Sequence, residues 1–375
     1  MVNKSKENLL LMNSKLKERA NSNIKFGCYI YQDGLRNKDI LHIASECERL
    51  GYDSIWLKDN LIPWILDYTV LHSSGSKSNN VNNKNNQTHH QSEDLSQAQH
   101  HQQMKHRMML ECWTLLSSLA PMTSKIKIGA ILVNLYRNPA ITAKMASTLD
   151  SITNGRLELG LSAGWYQKES KGYGIEFPTS GSTRVQMLEE SIIIIKRMLQ
   201  DKDGKISFKG KYYNILNAEC NPKPIRKPHL PIWIGGGGEK TLEIVSKYAD
   251  GWIYGLSSFN EYLKKLSILK DYCNINKGTI HNRSYGNIIK GWHVVLLLGK
   301  DKNDIRKRKI KVDEKQGAWK NSKFLISGTS HAILDEIYRY LNIGVTYFII
   351  YFPDLPDTTS LQLFAKHVIP CLRNR

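Results

Sequence analysis

The chain has 375 residues, 41% of them hydrophobic, with a formal net charge of +19. That length holds one large barrel or two ordinary domains, and the apolar content excludes a wholly disordered chain. The six cysteines, Cys28, Cys47, Cys112, Cys220, Cys273 and Cys371, make no CxxC pair and no zinc-type spacing, which argues for reduced packing residues in a cytoplasmic protein and against a disulfide framework or a metal centre.

Residues 1–22 are polar and lysine-rich, and their one apolar run, Leu9 to Met12, is too short for a secretory leader. They are expected to form a flexible tail ahead of a single domain over 23–375. No later stretch reaches membrane-spanning length, so no membrane partner is expected.

The run Ile24 to Tyr31 reads as a strand, and Lys38 to Leu50 as a helix with Ile40, Leu41, Ala44, Cys47 and Leu50 at helical spacing. A second strand, Ser54 to Lys58, ends in Asp59 and Asn60, with Pro63 and Trp64 just beyond. Polar groups at the C-terminal end of a barrel strand face an active site; a Lys58–Asp59 ion pair on the rim is the structural alternative. Residues 71–107 then break the pattern with Asn, Gln, Ser and half of the twelve histidines. Metal binding by His89, His90, His100, His101 and His106 is weighed against a low-complexity loop insertion, and the insertion is the reading taken.

Strands resume at Ile126 to Val133 and Leu157 to Ser162, the latter running into Ala163, Gly164 and Trp165. Small residues there let a flat ring lie against backbone, with Trp165 as a wall; a packed strand end with a core tryptophan is the alternative. The helix Arg184 to Leu199 follows, apolar at Met187, Leu188, Ile192, Ile195 and Leu199. Lys205 to Leu230 interrupts the alternation with three prolines and a hairpin around Phe208 to Tyr213, and reads equally as pocket-shaping or as surface decoration.

Pro231 to Gly235 is the fifth strand. It passes through Gly235, Gly236, Gly237 and Gly238 into a helix over Thr241 to Tyr248. Side-chain-free backbone at a helix N-terminus presents N–H donors to a phosphate, although four glycines also suit a tight corner. Neither a Walker A lysine nor the GxGxxG spacing is present. Gly251 to Tyr254, Ile288 to Leu298 and Val345 to Tyr351 complete eight strands, and eight βα units specify an α/β fold, a (β/α)8 TIM barrel with insertions at the C-terminal face. The basic cluster Arg306, Lys307, Arg308, Lys309 and Lys311 lacks interleaved aromatics and reads as a solvated helix face, so no nucleic-acid partner is expected. No nucleophile with its base is recognisable, which leaves the difficult chemistry to a cofactor.

Three ordered stretches carry a resemblance: NPAITAKMASTLDSITNGRLELGLSAGW over Asn138 to Trp165, PIWIGGGGEKTLEIVSKYADGWIYG over Pro231 to Gly255, and the tail Ser327 to Pro370 with NIGVTYFIIYFPDLPD. From Ile24 to Pro370, the insertion aside, the chain resembles the luciferase-like monooxygenase family and within it the coenzyme F420-dependent oxidoreductases. The resemblance implies a cofactor ring in a C-terminal-face pocket, its phosphate at Gly235 to Gly238, with Asp59, Ala163 and Gly164 in contact. It also implies a close approach near Gly129, Ala130 and Ile131, where members often carry a bulge and a non-prolyl cis peptide. Asn60, Trp64 and Trp165 would line the reacting side. F420-dependent members commonly have Asp-His after the second strand, and here Asn60 stands in place of the histidine; sugar-oxidising members place Glu where Trp165 stands. The implied activity is hydride exchange between F420 and a small organic substrate. An FMN-dependent monooxygenase and a non-catalytic flavin-binding protein are the alternatives, and a homodimer is the common assembly.

Overall fold

The computed structural model describes residues 24–63, 108–201, 205–277, 283–316, 319 and 322–373. The expected tail, the insertion at 71–107 and Trp64 lie outside them. In chain order the elements are β1 (Lys25–Ile30), α1 (Asn37–Arg49), β2 (Ser54–Lys58), α2 (Cys112–Met122), β3 (Lys127–Val133), α3 (Pro139–Ile152), β4 (Leu157–Ser162), α4 (Gln167–Gly172) and α5 (Gly181–Gln200). They continue with β5 (Lys205–Lys209), β6 (Asn214–Glu219), β7 (Ile232–Gly235), α6 (Glu239–Tyr248), β8 (Gly251–Gly255), α7 (Phe259–Ile275), β9 (Ile289–Leu298), α8 (Lys302–Gln316), β10 (Leu325–Gly328), α9 (Ser330–Leu341), β11 (Tyr347–Tyr351), α10 (Thr359–His367) and α11 (Ile369–Arg373).

Parallel pairing runs β1-β2-β3-β4-β7-β8-β9-β11 and returns to β1, so eight strands close the barrel at the eight apolar runs of the sequence. β10 extends the sheet beside the far half of β9, with Leu325 opposite Val295. The helices start where short polar side chains meet apolar periodicity. Asn138 caps α3 by accepting from the Ala140 N–H ahead of a first-turn Pro139, and Ser180 and Ser258 cap α5 and α7. The hairpin β5–β6 is held to α5 by the Glu190 carboxylate, which accepts the N–H groups of Lys211, Tyr212 and Tyr213 at 2.8–3.1 Å.

Strand parity decides what faces the barrel axis. One set of alternate residues, including Phe26, Ile55, Ala130, Leu159 and Phe348, is buried under the helices. The other set points inward, and its lower part is filled by Trp56 and Trp233, edge to face with ring centroids 5.6 Å apart, and by Tyr347 at 4.8 Å from Trp233. Glycine makes the room: a Cβ at Gly251 would lie 2.1 Å from the Trp233 ring, and one at Gly27 3.0 Å from Trp56. The Trp233 indole N–H donates to the buried Glu158 carboxylate at 2.5 Å, which also pairs with Lys127 and Arg226. This plug closes the barrel below and leaves inward residues at the upper ends of the strands facing open space. Five of the cysteines are buried and unpaired and Cys371 is exposed. Among the described residues no helix is long and apolar enough to cross a membrane.

Candidate active site

The C-terminal ends of the barrel strands surround a cavity of about 1000 Å³, at the upper end of the range for small-molecule and cofactor sites. Its wall takes Tyr29 and Tyr31 from the β1 end, Lys58 from β2, Ile131 and Val133 from β3, Ser162 from β4, Gly235 from β7, Ile253 and Gly255 from β8 and His293 from β9. No residue of the β5–β6 hairpin lines it, so that excursion decorates the surface.

The four glycines Gly235 to Gly238 form one side of the cavity, followed by Glu239, Lys240 and Thr241 of α6. Gly236 has φ +127°, open to glycine and strained for other residues. The turn is pinned from behind: the Trp252 Nε1–H donates to the Gly236 carbonyl at 2.7 Å, and the Gly236 N–H donates to Ile253 O at 3.2 Å. A Cβ at Gly235 would come 3.1 Å from Ile131, and one at Gly237 2.3 Å from the Tyr254 ring, so side chains here would fill the cradle. Gly238 is the N-cap of α6 and no side chain caps that helix, which leaves its first-turn N–H groups to an anion. Lys240 Nζ donates to Ser182 Oγ at 2.6 Å and Arg184 Nε to the Gly164 carbonyl at 3.2 Å, which places two cations on the same rim.

Across the cavity stand Ala163, Gly164 and Trp165. Gly164 has φ +76°, and a Cβ there would sit 2.9 Å from Val133. Trp165 is 48% exposed and stacked on Tyr166 with centroids 5.1 Å apart; it is a wall at the mouth and not a core tryptophan.

Beyond β2 the polar groups are tied down. Asp59 accepts a bidentate pair from Arg137 at 2.7 and 2.9 Å and the Val133 N–H at 2.8 Å. Burial pushes its carboxyl upward while Arg137 pulls the other way. Arg137 also donates at 2.6 Å to Glu111, the N-cap of α2. The alternative of a Lys58–Asp59 rim pair does not hold, because inward parity sends Lys58 to Asp33 instead. Asn60 Nδ2 donates at 3.1 Å to Glu169 of α4, whose carboxylate also accepts the Leu61 and Ile62 N–H groups and the Tyr136 hydroxyl.

At the floor, the Tyr31 hydroxyl and His293 Nε2 are hydrogen-bonded at 3.1 Å. Lys58 Nζ lies 4.8 Å from the centre of the Tyr31 ring, which stacks on Tyr351 at 4.0 Å. Burial pushes the His293 imidazolium down to about 3, so the ring is neutral at ordinary pH even though one edge reaches the cavity. Burial also lowers Lys58, against the opposing charge of Asp33.

Of the residues expected from sequence, Asp59, Asn60, Ile131, Ala163, Gly164, Trp165 and Gly235 to Gly238 meet around this cavity. Gly129 and Ala130 do not. Gly129 faces the interior one layer lower, where a Cβ would meet Glu158 and Trp56, and Ala130 faces the helices. The cis peptides among the described residues precede Pro222, Pro228 and Pro356, none of them in β3. Sequence reasoning passed over Tyr31, Asp33, His293, Arg137, Glu169, Arg184 and Lys240. For Tyr31 and His293 the signal was strand parity, which they share with the interior glycines Gly27 and Gly291. Among the described residues no group of three or more His, Cys, Asp or Glu is placed to hold a metal ion.

Residues 93–270 match the luciferase-like monooxygenase family model. A curated relative similar over most of the chain is an F420-dependent glucose-6-phosphate dehydrogenase of Amycolatopsis mediterranei, 21% identical over 90% of this chain and 95% of that protein. Pyrimidine monooxygenase RutA of Allorhizobium ampelinum is 32% identical over 141 residues, and that match spans 38% of each chain. Among solved structures, an F420-dependent secondary alcohol dehydrogenase in complex with an F420-acetone adduct superposes with a TM-score of 0.71 at 18% identity, over 94% of this chain and all of that one. Long-chain alkane monooxygenase LadA gives a TM-score of 0.71 at 14% identity, over 94% and 91%. The family-model match takes in α2 through most of α7, the stretch that supplies the glycine turn and the facing Ala163 to Trp165 wall, and the barrel closes as in these structures; over that stretch the chain is similar to the luciferase-like monooxygenases.

Proposed function

We propose that the chain is an oxidoreductase that binds coenzyme F420 and exchanges hydride with a small organic substrate. The observation that carries this reading is the uncapped N-terminus of α6, opening through four glycines onto a cavity of about 1000 Å³. The residues fit a phosphorylated, flat cofactor. The glycines leave space that any Cβ would narrow, and Lys240 and Arg184 bring positive charge to the turn. Ile131, Ala163 and Gly164 offer an apolar, close-approach wall for a ring. When bound, such a cofactor supplies the hydride or electron pair.

The chain's own residues then bind, orient and shield. The α6 N-terminus fixes the phosphate end, and Trp165, backed by Tyr166, walls the mouth against water. Glu169 gathers Asn60, Leu61 and Ile62 so that the segment after β2 holds one shape over the substrate. Asn60 donates hydrogen bonds and cannot exchange a proton at neutral pH. F420 is favoured over FMN by the dehydrogenase relative aligned along nearly the whole chain. The local match to a pyrimidine monooxygenase supports the second reading, an FMN-dependent monooxygenase.

Purified protein incubated with reduced F420 or reduced FMN, under argon and under air, with panels of ketones, alcohols and pyrimidines, tests the proposal. Oxidation of reduced F420 under argon that depends on an organic acceptor is expected. Turnover confined to FMN and oxygen supports the monooxygenase, and tight binding with no turnover at all makes the protein a carrier and overturns the enzymatic reading.

A further inference from the structure

We propose that Tyr31 gives and takes the substrate's proton in this cavity, held to that task by His293 and the Lys58–Asp33 ion pair. The inference rests on the oxidoreductase reading above.

Three other ionisable groups at or beside the cavity are already committed. Asp59 is occupied by Arg137 and the Val133 N–H, Glu169 by four donors, and the Tyr254 hydroxyl by Glu261 at 2.5 Å. The floor is arranged differently. Lys58 and Asp33 are paired with side chains only 4% and 12% exposed, and a buried ion pair contributes little to stability compared with apolar packing of the same shape. Its position is more telling: the ammonium lies 4.8 Å from the Tyr31 ring centre, and Tyr31 and Lys58 both line the cavity. A positive charge at that range favours the phenolate. His293 is neutral, and with its proton on Nε2 it donates to the Tyr31 oxygen across the 3.1 Å contact, so the phenol's own proton is the one given to substrate.

In the reducing direction the Tyr31 O–H bond breaks while an O–H bond forms on a carbonyl oxygen whose carbon receives hydride from reduced F420; the carbonyl is reduced to an alcohol and the cofactor is oxidised. The Tyr31 phenolate, stabilised by Lys58 and His293, regains a proton from water. Alcohol oxidation runs through the same groups in reverse.

The groups against Tyr31 include Tyr29 from β1, Lys58 from β2, His293 from β9 and Tyr351 from β11, with Asp33 from the loop after β1 paired to Lys58. Tyrosinate absorbance is titrated in wild type, Tyr31→Phe, Lys58→Met, and the double variant. Subtracting the Tyr31→Phe titration from that of wild type, and the double variant's from that of Lys58→Met, isolates the Tyr31 step in each background. Without Lys58 that step is expected to move to higher pH by ~1–3 units, and Lys58→Arg is expected to keep it near the wild-type position. A step that does not move in Lys58→Met overturns the proposal. Dissociation constants for F420 and turnover of the best ketone of the panel are measured in parallel. Tyr31→Phe is expected to bind F420 within about twofold of wild type and to lose ~10²–10⁴-fold in kcat. Wild type that binds neither F420 nor FMN overturns the oxidoreductase reading itself; F420 binding with an unchanged kcat in Tyr31→Phe overturns only the role of Tyr31.

Discussion

Arg137→Met isolates the buried ion pair that anchors the segment after β2. Asp59 has a side chain 1% exposed and receives both guanidinium N–H groups of Arg137. Removing the arginine leaves a buried carboxylate still held by the Val133 N–H but without its counter-charge, a change that costs about 3–5 kcal/mol in comparable pairs. For a domain of this size that corresponds to a drop of roughly 4–7 °C in the thermal midpoint. The deficit depends on pH. Burial already raises the Asp59 carboxyl in the folded state, and Arg137 opposes the rise, so the variant's carboxyl is raised further. A folded-state pKa above the unfolded value means the native state binds more protons in between, so stability is kept at low pH and lost as pH rises. Thermal melts followed by circular dichroism at about pH 8 and about pH 5 should show a larger deficit at the higher pH. Asp59→Asn in the Arg137→Met background should recover part of the loss, since no charge is then stranded. A deficit under about 1 kcal/mol, or one equal at both pH values, refutes the reasoning.

Three further outcomes are expected. Gly235→Val places methyl groups where a Cβ already lies 3.1 Å from Ile131; F420 or FMN affinity, measured by equilibrium titration, should fall at least tenfold while the cofactor-free melting point moves by a few degrees. Glu169→Ala strips the acceptor from Asn60, Ile62 and Tyr136 and should cost about 2–4 kcal/mol in chemical denaturation, leaving donors without partners. His293 is held neutral by burial, with its pKa down at about 3. The unfolded chain therefore binds the proton first as pH falls from ~6.5, and stability drops toward acid by up to about 1.4 kcal/mol per pH unit. His293→Gln should flatten that slope in denaturant melts, and an unchanged slope removes His293 as its cause.

The barrel was legible because parallel strands buried on both faces write continuous apolar runs, and each of the eight runs became a barrel strand. The glycine turn was equally legible, since four glycines between a strand and a helix leave few conformational alternatives. Gly129 and Ala130 were placed at the cavity from family resemblance alone; parity turns Ala130 outward, and register sets Gly129 opposite Trp56 in the filled layer below. The polar floor was missed for a related reason. Tyr31 and Asp33 follow β1 and Lys58 ends β2, but His293 lies far along the chain on β9, and no local spacing announces that β9 lies two strands from β1, with β11 between them. Lys58 and Asp59 are adjacent in sequence, and their pairing was the structural alternative, yet successive residues at a strand end diverge, and each found its counter-ion on another element.

The proposed function puts the phosphate of a flavin-type cofactor at the turn Gly235 to Gly238. Equilibrium titration of the purified protein with F420 and with FMN, read by the cofactor's absorbance and fluorescence, tests this most directly. Saturable one-to-one binding at micromolar concentration, tighter for F420 and at least tenfold weaker in Gly235→Val, is the expected result. Binding of neither cofactor, or binding that is indifferent to Gly235→Val, would contradict it.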